Sequence, residues 1–132
     1  MSIPVSKDLG GLFLEKEERM ARVIAEAALE ENALDMVILN VHELTIIADY
    51  FIICNGRSTV QIRSIAENVE KVMQEKEGLL PLRRDGLEQG KWVILDYGSV
   101  IVHIFRQEER DYYKLEKLWG DAREISVNQE MQ

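Results

Sequence analysis

The stretch Ala48-Asp-Tyr-Phe-Ile-Ile-Cys-Asn-Gly-Arg-Ser-Thr-Val-Gln-Ile-Arg-Ser-Ile-Ala66 reads as an apolar strand, a glycine turn and an amphipathic helix. Tyr50 to Cys54 is apolar without alternation, the pattern of a strand covered on both faces. Ser58 suits the N-cap of the next helix, since its short hydroxyl can accept from a free backbone N–H of the first turn. Ile62, Ile65, Ala66, Val69, Val72 and Met73 then keep helical spacing, and Gly78 marks the end. The Asn55-Gly56 pair is expected to turn with Gly56 at positive φ.

Upstream, residues 1–14 carry Pro4, Gly10 and Gly11 and are expected to form a flexible N-terminal arm. A helix is expected from about Glu15 to Asn32, with Met20, Val23, Ile24 and Ala27 on its buried face. Met36 to Val41 is a short apolar run, read as a strand, and His42 to Asp49 is a loop. Downstream, Leu79 to Arg83 is expected as a third strand, with a turn at Asp85-Gly86 and a loop to Gly90. The last helix is expected from near Glu108, with Tyr112, Leu115, Leu118 and Trp119 on one buried face and Gly120 closing it. Residues 121–132 read as a polar C-terminal tail. The fold class is α/β, a single compact mixed-sheet domain over residues 15–120 with helices packed on it.

Between these elements lie Lys91 to Tyr97 and Val100 to Phe105, two strands around Gly98-Ser99. Glycine at the first central position suits a two-residue type II′ hairpin. That loop length pairs Tyr97 with Val100, Leu95 with Val102 and Val93 with Ile104, which makes an apolar core face. The other face then carries Trp92, Ile94, Asp96, Ile101, His103 and Phe105, large apolar groups mixed with an acid and a histidine. Either a helix covers this face or part of it is an exposed docking patch, for which tryptophan and tyrosine are favoured anchors.

A length of 132 residues fits one domain, and a net charge of −8 disfavours binding to nucleic-acid phosphates while favouring a basic partner. The lone Cys54 lies in an apolar run and reads as a buried small hydrophobe. No secretory leader and no membrane-spanning run are visible, so a cytoplasmic protein is expected.

Catalytic chemistry finds little support. Neither phosphate-loop pattern, G-x-x-x-x-G-K-[ST] or G-x-G-x-x-G, occurs. Gly56-Arg57-Ser58 before a helix resembles the arrangement in nucleotidyltransferases, but those enzymes need clustered carboxylates to hold a metal. Here the first acid after Ser58 is Glu67, and no Asp-x-Asp occurs. The two histidines, His42 and His103, and one cysteine lack metal-ligand spacing, so no metal is expected. His103 on a strand reads as a hydrogen-bonded structural group. Glu108, Glu109 and Asp111 are favoured at a helix start by electrostatics alone.

Three blocks together resemble the ribosomal silencing factor family, also called RsfS or Iojap-like. They are Asp35 to Val41; Thr45 with Ala48 to Ser58, Gln61 and Ile65-Ala66; and Trp92 to Phe105 with Glu109, Arg110, Tyr113, Leu115-Glu116 and Leu118-Trp119. The resemblance covers about Asn32 to Ala122. One departure is Ser99, where the family often has Asp after the glycine. The resemblance implies a nucleotidyltransferase-like fold without enzymatic activity, catalytic residues or cofactor. It implies binding to the large ribosomal subunit through its protein numbered fourteen, and a steric block of joining with the small subunit that lowers translation when nutrients are short. Position by position, the partner-binding residues are Trp92, Asp96, Tyr97, Gly98 and Ser99. Little direct nucleic-acid contact and no membrane are expected. A large-subunit assembly factor and a nucleotide-acting enzyme with Ser58 near the phosphates stay open as alternatives, and the apolar hairpin would also serve a homodimer.

Overall fold

The chain's most apolar strand lies at the centre of its sheet. The computed structural model describes the backbone of residues 2–125 and the side chains of residues 16–125. The elements are α1 (Ser2–Glu30), β1 (Leu34–Asn40), β2 (Tyr50–Gly56), α2 (Thr59–Glu77), β3 (Arg83–Asp85), β4 (Trp92–Asp96), β5 (Val100–Arg106), α3 (Gln107–Tyr113), α4 (Leu115–Leu118) and β6 (Arg123–Ile125). They build a six-stranded sheet in the order β3-β4-β5-β2-β1-β6. β2 and β5 run parallel, and every other neighbouring pair is antiparallel.

All of β2, Tyr50 to Gly56, is buried, as its unbroken apolar run requires. On one face α1 and α2 pack over Ile38, Tyr50, Ile52, Cys54, Val93, Leu95, Val102 and Ile104. The two helices are antiparallel: Arg19 pairs with Glu77 at one end, and the Gln61 amide donates to the carbonyls of Glu31 and Asn32 at the other. On the other face Leu115, Trp119 and Ala122 pack over Leu39, Phe51, Ile53, Ile101 and Phe105. The β4–β5 register is the one the two-residue loop dictates, with Leu95 opposite Val102 and Val93 opposite Ile104.

Several boundaries differ from the sequence reading. The helical backbone begins at Ser2, inside the expected arm, rather than near Glu15. β6 draws Arg123–Ile125 of the expected tail into the sheet beside β1, because Ile125 supplies an apolar group to the core; residues 126–132 lie outside the described residues. The third strand is Arg83–Asp85, not Leu79 to Arg83, and Leu79, Leu80 and Leu82 are exposed. The last helix breaks at Lys114, which adopts a left-handed φ of 48°. Tyr113 and Leu115, two apart, would point to opposite sides of a continuous helix. The break lets Tyr113 reach Trp92 while Leu115 joins the core, and it leaves Tyr112 and Leu118 in solvent.

Gly56 also owes its identity to a different constraint. It is the last residue of β2 and is not among the glycines at positive φ. A Cβ there would stand 2.7 Å from Ile62 Cγ1 and 3.2 Å from the Ile62 backbone nitrogen. Close approach of α2 to β2, not backbone handedness, therefore requires glycine. Ser58 caps α2 as expected, its Oγ accepting from the Gln61 N–H at 3.1 Å, while Gln61 Oε1 accepts from the Arg57 N–H at 2.5 Å.

Two stability predictions follow from these contacts. Gly56→Ala should destabilise by about 1–3 kcal/mol through overpacking, and Ser58→Ala by about 0.5–2 kcal/mol through the lost cap. Urea midpoints measure both; an unchanged midpoint for Gly56→Ala would show that α2 shifts freely off β2.

Candidate docking face

Strand alternation sends Trp92, Ile94 and Asp96 of β4 to the same face as Ile101, His103 and Phe105 of β5. Among the described residues the α3–α4 segment covers this face mainly over β5, β2 and β1, where Trp119 meets Phe51 edge-on at 5.1 Å, and touches β4 through Tyr113 at Trp92. Trp92, Ile94 and Asp96 stay half-buried. Arg83 and Asp85 of β3, paired with Asp96 and Ile94, are exposed and widen the open strip toward the sheet edge. At its far end Tyr113 and Tyr112 are exposed. The strip thus has an aromatic end, an aliphatic middle and a charged end.

Trp92 is tightly held for a half-exposed residue. Its ring stacks on Phe105 at a centroid distance of 4.9 Å and meets Tyr113 at 4.7 Å. Its Nε1–H donates to His103 Nδ1 at 3.1 Å. Accepting that bond leaves the proton of the neutral imidazole on Nε2. His103 is buried, and burial lowers its pKa to about 4. Trp92 and Trp119 are both half-buried, and both have aromatic partners.

The remaining expected residues lie elsewhere. Asp96 shares a face with Trp92 but lies about 13 Å along the strand from it. Its Oδ1 accepts from the Gly98 N–H at 2.8 Å, which tightens the turn where Gly98 takes a φ of 87°. The Ser99 carbonyl accepts from the backbone N–H groups of Asp49 and Tyr50 at 2.8 and 3.0 Å, tying the hairpin to the start of β2. Tyr97 points to the opposite face and is buried among the residues under α1 and α2. Among the described residues its hydroxyl has no hydrogen-bond partner, and burial raises its pKa well above the ordinary phenol value. Its side chain is not open to a partner.

One group that carries the family resemblance, but to which the sequence pattern assigned no role, organises the face. Arg110 is buried, and its Nη1 donates to the Asp35 carbonyl at 2.7 Å and to Asn55 Oδ1 at 2.9 Å. Its Nε and Nη2 both donate to Glu116 Oε2, at 2.9 and 2.7 Å. Asp35 sits in a bulge of β1 with φ 51°, where the ladder is interrupted. The guanidinium satisfies that carbonyl and clamps the Lys114 elbow through Glu116. A six-residue Arg–Glu spacing matches no local helical pair, so only the fold brings these groups together.

The Gly56–Ser58 junction opens on a cavity of about 550 Å³ lined by Asn55, Arg57, Ser58, Thr59 and Arg106, among others. Ser58 is engaged in the cap. Among the described residues no group of three or more His, Cys, Asp or Glu could hold a metal. Cys54 is fully buried, and burial lifts its thiol pKa to about 12. No helix among the described residues is long and apolar enough to cross a membrane.

The family model described as "RsfS: Ribosomal silencing factor during starvation" matches residues 14–132. The chain belongs to the ribosomal silencing factor family. It is 41% identical over 110 residues to the ribosomal silencing factor of Halalkalibacterium halodurans, covering 83% of this chain and 93% of that one. A crystal structure of a Bacillus halodurans protein superposes with a TM-score of 0.73 at 37% identity, covering 83% of this chain and 98% of the other. A crystal structure of a Chromobacterium violaceum protein gives a TM-score of 0.76 at 31% identity, covering 78% and 85%. Ribosomal silencing factors are non-enzymatic regulators.

The burial of His103 makes the stability of the fold depend on pH. The unfolded chain takes up a proton near pH 6.5 and folded His103 near pH 4, so its stability contribution is complete above about 6.5 and is lost as pH falls through that window. The loss should approach about 1.4 kcal/mol per pH unit between the two values. His103→Gln, which keeps an acceptor for Trp92, should flatten that slope in urea unfolding between pH 6.5 and 4.5. An imidazole resonance of His103 titrating near 6.5 in the folded protein would contradict the burial.

Proposed function

We propose that this protein binds the large ribosomal subunit and sterically blocks its joining with the small subunit, which lowers translation. The observation that carries the reading is the uncovered strip over β4, an aromatic and aliphatic surface with a charged rim on a member of this family. The partner group is the subunit's protein numbered fourteen, contacted by Trp92, Ile94 and Asp96 on the strip and by Gly98 and Ser99 at the turn. Trp92 is the anchor: Phe105 and His103 hold its ring before binding, so little rotamer freedom is lost on docking.

The net charge of −8 supports a basic protein partner over direct contact with RNA. A folded domain that occupies the joining surface needs no catalysis. The strand–Gly56–Ser58–helix unit serves here as a nucleotidyltransferase-like scaffold put to binding, and the proposed setting is the cytoplasm.

Trp92→Ala should weaken large-subunit binding by about 2 kcal/mol, on the order of 30-fold. Because Trp92 also packs on Phe105 and bonds to His103, the variant should lose stability too, and circular dichroism must first establish that it is folded. Trp92→Phe keeps a ring on Phe105 and should retain more binding. When large and small subunits are mixed with each protein, the parent should suppress joined ribosomes and Trp92→Ala should largely restore them. A folded Trp92→Ala that blocks joining at the parent's concentration would remove the strip from the mechanism.

A further inference from the structure

The largest exposed aliphatic groups near the strip belong to the loop between β1 and β2, His42-Glu-Leu-Thr-Ile-Ile-Ala-Asp49. Ile46 is fully exposed at 103%, Ile47 is 64% exposed and Leu44 45%. A loose loop would hide such side chains by folding back, and this one is held at both ends. The Val41 N–H donates to the Asp49 carbonyl at 2.8 Å, and the N–H groups of Leu44 and Thr45 return to the Val41 carbonyl. The Ile47 N–H donates to Thr45 Oγ1 at 3.1 Å, His42 pairs with Asp49 at 2.5 Å, and Ala48 is buried as the loop's inner contact. The fold presents the two isoleucines to solvent on a closed, hydrogen-bonded frame.

The place of this frame matters. The Asp49 N–H donates to the Ser99 carbonyl, so the loop adjoins the Gly98-Ser99 turn. On the turn's other side the Leu82 N–H donates to the Asp96 carbonyl at 2.7 Å, and Leu82, 72% exposed, packs against Gly98. Three strand spacings separate β3 from β2, about 14 Å. Leu82, the turn and the Ile46-Ile47 loop therefore lie along one end of the sheet, next to the Asp96 end of the open strip. Charged groups border this end: Glu43 and Arg83 are exposed, and Asp49 and Asp96 are half-exposed.

We infer that the Ile46-Ile47 loop and Leu82 form a second contact surface, which docks on a basic protein surface with an apolar centre. The inference rests on the large-subunit reading above and extends its contact area beyond the strip. With Glu43 exposed beside the isoleucines on a chain of charge −8, this surface matches a basic protein surface and repels a second copy of itself. RNA would meet the same repulsion and offers no aliphatic surface for the isoleucines to fill.

The test uses the full chain and purified large ribosomal subunits. Ile46→Ser with Ile47→Ser should leave the melting temperature unchanged, because both side chains are in solvent, yet weaken subunit binding about tenfold or more. Glu43→Lys should weaken it several-fold at low salt, an effect that shrinks as salt rises. A photo-crosslinking residue at position 46 should capture a basic ribosomal protein. Parent-like binding by the double isoleucine variant would overturn the inference and leave the large-subunit reading standing. Failure of the parent itself to bind would overturn both. Crosslinks only to ribosomal RNA, or only to a second copy of this chain, would overturn the assigned partner chemistry.

Discussion

Everything in this molecule follows from one strand that cannot face water on either side. β2 places Tyr50, Ile52 and Cys54 on one face and Phe51 and Ile53 on the other, all buried, with β5 and β1 as its neighbours. One cover comes from α1 and α2, which bring an extended apolar surface. The other comes from only a few side chains, Leu115, Trp119 and Ala122, on a segment too short to span the sheet. The uneven covers leave β4 half-open. The surface assigned to docking is thus the part of the second face that, among the described residues, the C-terminal segment touches only through Tyr113.

Polar groups make this economical second cover stable. The bulge at Asp35 and the elbow at Lys114 each place a non-glycine residue at positive φ, and Arg110 lies between them. A buried guanidinium is costly unless its donors are satisfied, and here they reach a carboxylate, a side-chain amide and a backbone carbonyl. The clamp fixes α3, α3 fixes Tyr113, and Tyr113 with Phe105 and His103 fixes Trp92. The exposed edge of Trp92 is thus held in place by a chain of contacts on its own face of the sheet.

Much of this was legible in the sequence. The unbroken apolar run of β2, the Ser58 cap, Gly78 and the register around Gly98-Ser99 all follow from local rules, and each is as expected. The hairpin register alone separated Tyr97 from Trp92 and Asp96. What escaped depends on contacts distant in sequence. Gly56 is constrained by Ile62 on the next helix rather than by its own φ. The helix at Glu108 breaks because Leu115 and Tyr113 have different partners, and Arg110 joins residues from three elements. Arg123–Ile125 becomes a strand because β1 offers an open edge and the single apolar Ile125 reaches the core, too short a pattern to read in sequence.

The central claim is that this chain recognises a surface of the large subunit that the small subunit must also use. Co-sedimentation of the parent protein with isolated large subunits, isolated small subunits and joined ribosomes tests it most directly. The account predicts that the protein pellets with large subunits, stays in the supernatant with small subunits, and is excluded from joined ribosomes. Equal pelleting with all three would contradict it.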